Sequence, residues 1–295
     1  MTLFLQHLID ALSVGSTYVL LGLGLSLVFS VMGLINFAYG TLIVWTGYML
    51  SVYDGWGVPY LLVVILAVLT TTAISLLMGR VAFRPFINAP PSTLLLTSFG
   101  AALASQAIAI WAFGESPRPI PLPEFLSTVW RIGGLRVNAL QLVTVAAGVV
   151  VILVLNLLLH RSELGLRIRA TAENPDTARL MGVRALRVLP AVFGLSGVIA
   201  GVVAFLLIAK TGTVDPYADL TPTLKAFIVV VLGGIGTVRG AVIGGLLLGL
   251  FETMLASYLP GSFLSYQQTL AFLIVIAILL WRPQGIAGRL VELSK

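Results

Sequence analysis

The residues whose spacing most resembles a chemical site are glycines within AFIVVVLGGIGTVRGAVIGG, residues 226–245. Gly234, Gly236 and Gly240 form a loose G-x-G-x-x-x-G, and a glycine-rich turn between a strand and a helix can hold dinucleotide phosphates. That use requires a βαβ unit and an acidic residue about 20 positions further on. Here the apolar character continues on both sides, and the next acid, Glu252, lies inside another apolar run. The pattern therefore does not indicate nucleotide binding.

Other reactive groupings are scarce in this sequence. There is no cysteine, and the two histidines, His7 and His160, lie far apart, where we expect membrane interfaces. The motif G-x-x-x-x-G-K-[ST] does not occur, so the sequence carries no P-loop ATPase of its own. No cluster of His, Asp or Glu is evident that would support a membrane enzyme. We therefore predict no catalytic residue, no metal site and no cofactor.

Composition decides what kind of structure must hold these residues. Of the 295 residues, 59% are hydrophobic and only 9% are charged, whereas soluble domains carry about 25% charged residues. With so few charges, the apolar surface must face the lipid bilayer. The sequence thus predicts an all-α polytopic membrane protein with a single transmembrane domain over residues 1–295. The net charge of +6 does not indicate nucleic acid, because most arginines lie in loops between apolar runs.

Apolar stretches long enough to cross a bilayer predict about nine transmembrane segments, with eight or ten as alternatives. A spanning helix needs about 20 apolar residues. The predicted segments are 8–31, 36–53, 58–79, 92–113, 138–159, 188–209, 222–235, 238–258 and 266–281. Because 222–235 is short, we expect some of the helices to be broken or re-entrant.

The arginine-rich loop 161–189 predicts how the chain is oriented. It holds six arginines against three acids, and basic loops favour the cytoplasm. Counting outward from it places the N-terminus outside and the C-terminal tail inside. Loop 114–137 must then lie outside, although it contains three arginines against two acids. Its four prolines predict an extended segment.

The glycines of the opening stretch allow two structural interpretations. Gly236, Gly240 and Gly244 are spaced by four, as are Gly245 and Gly249, and also Gly197 and Gly201, and such spacing forms a smooth helix face for close packing. Alternatively, Gly233, Gly234 and Gly236 break a helix and line a translocation path. Residues 231–243 also align weakly with 31–43, which fits a transporter built from two related halves.

A short helix is predicted inside the arginine-rich loop, at about 175–181. Asn174 is a good N-cap, Pro175 suits the first turn, and Gly182 can close the C-terminus. Leu180 and Met181 are its apolar residues. A helix of two turns is marginal alone in water, so it must pack either on this chain's own helix ends or on a cytoplasmic partner.

At this point the chain resembles the permease subunit of branched-chain amino acid ABC importers, the LivH family. The markers are GSTYVLLGLGLSLVFSVMGLINFAYG (15–40), GLRIRATAENPDTARLMGV (165–183) and KAFIVVVLGGIGTVRGAVIGGLLLG (225–249). The resemblance covers essentially the whole length. It departs at Tyr39 and Thr41, where the family often has His and an acidic residue, which leaves urea or short amides as alternative substrates.

The resemblance implies a set of partners in a bacterial or archaeal cytoplasmic membrane. These are a second homologous permease, two cytoplasmic ABC ATPases and an extracytoplasmic solute-binding protein that delivers an amino acid. The segment at about 160–188 would be the coupling loop. Its ATPase-coupling residues would be Arg169, Glu173, Asn174, Pro175, Arg179, Leu180, Met181 and Gly182.

A path for a zwitterion with an apolar side chain needs polar but uncharged lining. The substrate-path candidates are Asn36, Tyr39, Thr41, Gln106, Gly233, Gly234, Gly236 and Glu252. The alternative for each polar side chain is a hydrogen bond between helices, and for Glu252 an ion pair with Arg239 or Lys225. A stand-alone carrier or channel is the competing class, but it would need intramembrane charges that this sequence almost lacks.

Overall fold

A computed structural model of the chain describes residues 2–87, 89–260, 263 and 266–287. Most of these residues are helical, as the composition predicts. The α-helices of the described residues are α1 (Thr2–Met32), α2 (Tyr39–Asp54), α3 (Tyr60–Met78), α4 (Pro91–Phe113), α5 (Ala139–Arg161), α6 (Glu163–Glu173), α7 (Pro175–Leu180), α8 (Ala185–Thr211), α9 (Leu220–Gly233), α10 (Val238–Tyr258) and α11 (Gln267–Trp281). A π-helical turn (Gly79–Phe83) and a 3₁₀ turn (Arg84–Phe86) extend α3.

Each of the nine predicted segments lies largely in a helix, but nine full spans are not confirmed. Within the described residues, six helices are long and apolar enough to cross a membrane: α1, α3 with its extension, α4, α5, α8 and α10. Three helices are shorter: α2 has 16 residues, α9 has 14 and α11 has 15. At about 1.5 Å per residue, these three are too short to cross about 30 Å of hydrocarbon unaided.

Within the part of the chain that the structure describes, four short strands lie at one end of the helices. β1 (Arg118–Pro119) pairs with β4 (Thr213–Val214), and β2 (Val129–Ile132) forms an antiparallel hairpin with β3 (Leu135–Asn138). Gly133 and Gly134 both have positive φ, at 58° and 84°, as a tight hairpin turn requires. The predicted extended segment 114–137 therefore contains a hairpin that the sequence analysis missed. We call the end of the helices that carries these strands the hairpin end. The opposite end carries α6 and α7, and we call it the α7 end.

Helix α1 is the centre of the fold and packs tightly on α10. A Cβ added at Gly245 would overlap the backbone of Val19, and one added at Gly249 would overlap the backbone of Gly15. On α8, Gly197 lies against Thr72 and Ser75 of α3, and Gly201 lies against Val68. The predicted glycine faces at these two pairs are confirmed, since only residues without a side chain let the backbones come so close.

The predicted helix break is also confirmed. Helix α9 ends at Gly233, and Gly234 and Gly236 have positive φ values of 112° and 77°, a conformation that favours glycine. Thr237 then caps α10, because its Oγ1 accepts the N–H of Gly240 at 3.0 Å. The close packing and the helix break therefore both hold, each for different glycines, and the lining of a translocation path stays a prediction.

The contact between α1 and α10 predicts a stability difference between two glycines. Gly245→Ala should lower the stability by about 1–3 kcal/mol, because the new methyl group meets backbone that cannot move aside. Gly100→Ala is the matched control on α4, where no atom lies within 4 Å, and alanine favours the helix by about 1 kcal/mol. Thermal unfolding of the purified proteins in detergent measures both. Equal melting temperatures for the two variants would contradict the close contact.

Candidate functional site

The turn before α2 and the first turn of α2 contain three of the predicted path residues. The Asn36 side-chain oxygen accepts the N–H of Ala38 at 3.1 Å, and its main-chain oxygen accepts the N–H of Tyr39 at 3.1 Å. The Thr41 hydroxyl donates to the main-chain oxygen of Ala38 at 2.8 Å. Asn36, Tyr39 and Thr41 are at most 1% exposed. The Asn36 and Thr41 side chains thus stabilise the turn inside the subunit with Tyr39 buried beside them, and path lining by these residues stays a prediction.

This turn and Gln106 meet at the segment that leads into α9. A Cβ added at Gly40 would overlap the main-chain oxygen of Asp219. From α4, the Gln106 amide donates to the main-chain oxygen of Pro216 at 3.0 Å and lies 3.5 Å from the Asp219 carboxylate. The structure therefore brings the start of α2, the middle of α4 and the start of α9 together.

The glycine break borders a cavity at the α7 end. The cavity has a volume of about 610 Å³, and Gly236 and Arg239 line it beside Ser30 of α1 and Arg169 of α6. Gly236 and Arg169 are thus brought together, one from the predicted path and one from the predicted coupling set. Gly233 and Gly234 are buried and do not line this cavity.

Glu252 belongs to a buried cluster that joins three helices. The Lys225 ammonium lies 3.0 Å from the Glu252 carboxylate and donates to the Tyr18 hydroxyl at 2.6 Å. Tyr18 in turn donates to the same Glu252 oxygen. Of the two partners considered for Glu252, the structure selects Lys225, because Arg239 lies near the opposite end of α10. The cluster ties α1 to α9 and α10 through paired charges, as a charge in an apolar interior requires.

Helix α7 confirms the predicted short helix, which ends one residue earlier than expected. The Asn174 side chain accepts the N–H groups of Asp176 and Thr177 at 3.1 and 3.0 Å. Gly182, with φ at 84°, follows its C-terminus. Leu180 and Met181 are 88% and 81% exposed. Ala178 packs on this chain at 4% exposure, but the two large apolar side chains do not, which favours a docking role over packing on its own helix ends.

Helix α6 was missed by the sequence analysis. The Ser162 hydroxyl accepts the N–H of Gly165 at 3.0 Å, a capping pattern readable from a serine followed by Glu163 in the first turn. Ile168 and Thr171 are each 2% exposed and face the rest of the protein. Arg169 and Glu173 of α6 are exposed, as are Pro175 and Arg179 of α7. The predicted coupling loop therefore consists of α6, which has one buried face, and α7, which is mostly exposed.

Apolar helices interrupted by a glycine turn, with a capped helix exposed beyond their ends, define a multi-pass membrane protein of the permease type. A family model described as the branched-chain amino acid transport system permease component matches residues 7–279, and the chain belongs to this family. It is a membrane transport component rather than an enzyme.

Named relatives cover almost the whole chain. The chain is 31% identical to the high-affinity branched-chain amino acid transport system permease protein LivH of Escherichia coli K12, over 97% of this chain and 96% of the relative. It is also 31% identical to BraD of Pseudomonas aeruginosa, with the same coverage. A probable branched-chain amino acid transport permease protein LivH of Methanocaldococcus jannaschii is 30% identical over 92% of this chain and 88% of the relative.

The buried ion pair predicts a non-additive effect on stability. Lys225→Met should cost about 3–5 kcal/mol, because it leaves Glu252 charged and unpaired in an apolar interior. Combining it with Glu252→Gln should recover at least half of that loss. Arg167→Met is the matched control, since it breaks an exposed ion pair with Glu163 that contributes about 0.5 kcal/mol. Thermal unfolding of the native protein, both single variants, the double variant and the control decides, and a strictly additive double variant would contradict the pairing.

Proposed function

We propose that the chain is the permease subunit of an ATP-driven importer for branched-chain amino acids in a bacterial or archaeal cytoplasmic membrane. The observation that carries the proposal is α7, a capped helix whose apolar residues Leu180 and Met181 are exposed beyond the membrane-type helices. Membership of the permease family and the names of the relatives support the substrate class.

The proposed importer needs ATP hydrolysis on other chains, because this sequence has no P-loop motif. Two cytoplasmic ABC ATPases would dock on α7 and its flanks. A second homologous permease would complete the translocation path, and an extracytoplasmic binding protein would deliver the amino acid at the hairpin end. The coupling residues are those of the predicted set, from Arg169 to Gly182, and their exposure supports this role.

The proposed mechanism is alternating access without covalent chemistry. Helix α6 contacts α1, α5, α7 and α8, so a movement of α7 would reach the membrane helices through α6. The glycine break beside Arg169 is the segment best suited to yield, because positive-φ glycines tolerate backbone change. The path candidates Asn36, Tyr39, Thr41 and Gln106 would shape the path by holding the α2 turn against α9.

One of the two alternatives has specific support, and the other does not. Tyr39 and Thr41 depart from the family pattern, which keeps urea or a short amide as a second substrate class. A stand-alone carrier or channel would leave the exposed apolar residues of α7 without a partner. The importer therefore accounts for more of the structure than the carrier does.

If α7 is the docking helix, replacing its exposed apolar residues should abolish binding of the ATPase without unfolding the permease. Leu180→Ser combined with Met181→Ser should reduce uptake and copurification of the ATPase by about tenfold or more, since both side chains would be central to the contact. The melting temperature should not change, because these side chains touch little of this chain. Val129→Ser is the control, half-exposed at the hairpin end. Unchanged copurification with the double variant would contradict the docking role.

The substrate class predicts a pattern of competition in cells. Host cells that lack this gene should lose uptake of labelled leucine and regain it with the gene restored. Unlabelled valine should compete best, and urea and an aromatic amino acid should compete poorly. Leucine uptake that is independent of the gene would rule out this substrate, and competition by urea would favour the amide class.

A further inference from the structure

A second cavity opens at the hairpin end, inside a single subunit. Its volume is about 600 Å³, and α1, α5, α8 and α9 enclose it. Three charged side chains line it: Asp10 of α1, Lys210 of α8 and Lys225 of α9. In the described part of the chain, no ion pair joins Asp10 to either lysine. The cavity thus presents separate charges of both signs.

Asp10 retains capacity to bind a cation. One carboxylate oxygen accepts the Gln141 amide at 2.7 Å and the Gln6 amide at 3.2 Å, and both donors are neutral. The other oxygen accepts no hydrogen bond from the described residues, although a carboxylate offers about four acceptor sites. The two amides hold the carboxylate in place and leave its charge uncompensated.

Lys225 retains capacity to bind an anion. Its ammonium donates to the Tyr18 hydroxyl and to the Glu252 carboxylate, which uses two of its three N–H groups. The side chain is 19% exposed, so it lies deep in the cavity, whereas Lys210 is exposed at the rim. The two lysines lie on different helices from Asp10 and supply the complementary charge.

The remaining wall suits an aliphatic side chain. Val14 and Leu21 of α1 and Leu206 and Leu207 of α8 line the cavity together with the charged groups. Small-molecule sites have volumes of about 300–1,000 Å³ and combine apolar walls with a few polar groups. This cavity has that size and that composition, with room for one amino acid and several waters.

We propose that this cavity binds a zwitterionic aliphatic amino acid before it crosses the membrane. Asp10 binds the ammonium group, Lys225 binds the carboxylate with Lys210 at the rim, and the side chain packs on the leucines of α8. The inference rests on the proposed function for its choice of ligand. The site would also connect the ligand to the cluster of Tyr18, Lys225 and Glu252, because the Lys225 ammonium that binds the ligand carboxylate also bonds to Glu252.

Ligand-observed saturation-transfer NMR on the purified full-length permease tests the site without the binding protein. Leucine is compared with isocaproate, which lacks the ammonium group, and with isoamylamine, which lacks the carboxylate. Asp10→Asn should weaken leucine binding about tenfold, because it removes a charged partner. The same change should leave isocaproate binding unaltered. Glu115→Gln is the matched control, because Glu115 is an exposed carboxylate at the same end that does not line the cavity. This control should change neither leucine binding nor isocaproate binding.

Lys210→Gln is a second variant at an exposed position, where folding is not at risk. The change should weaken the binding of leucine and isocaproate and leave the binding of isoamylamine unchanged. Unaltered leucine binding in both the Asp10 and Lys210 variants, or no leucine binding by the native permease at millimolar concentration, would overturn the site. Neither result would affect the proposed function, which is tested separately by leucine uptake and its competition in cells.

Discussion

The backbone contact between α1 and α10 is the constraint on which the rest of the structure depends. Gly15 and Val19 of α1 lie against Gly249 and Gly245 of α10, and no larger side chain fits between the two backbones. Tyr18 neighbours Val19, and Glu252 lies one turn beyond Gly249, so the same contact places the hydroxyl and the carboxylate together. Without a hydrophobic driving force between helices in lipid, such close packing and paired polar groups must hold them together.

Each half of the weak internal alignment contains a turn between two helices, although the positive-φ glycines of the two turns are one position out of register. Residues 33–38 join α1 to α2, and 234–237 join α9 to α10, with positive φ at Gly33 and Gly234. Protein groups satisfy the polar backbone at each turn: Ser98 donates to the oxygen of Ile35 at 3.4 Å, and Ile286 donates to that of Leu232 at 2.9 Å. Irregular backbone at membrane depth is tolerated only where protein or water surrounds it, and these two hydrogen bonds supply part of those surroundings.

Features governed by local chemistry could be predicted from the sequence, and features governed by three-dimensional proximity could not. The cap at Asn174 and the break at Gly234 follow from the preferences of single residues. The partner of Glu252 is 27 positions away in sequence, and only the fold selects Lys225 over Arg239. Core and lipid are both apolar, so composition could not show that Tyr39 faces the interior. The hairpin was missed because its four-residue strands are too short to show a clear alternation beside so many prolines.

The exposed and buried parts of the proposed coupling loop would have different mechanical roles. Asn174 alone separates α6 from α7, ending one helix and capping the next, so little slack lies between them. At its other end α6 is anchored, because a Cβ at Gly165 would overlap the last turns of α5. A push on Leu180 would therefore move α6 as a unit against α5 and α8 rather than bend the loop. Arg169 of α6 and Gly236 line the same cavity, so a movement of α6 would displace residues beside the helix break.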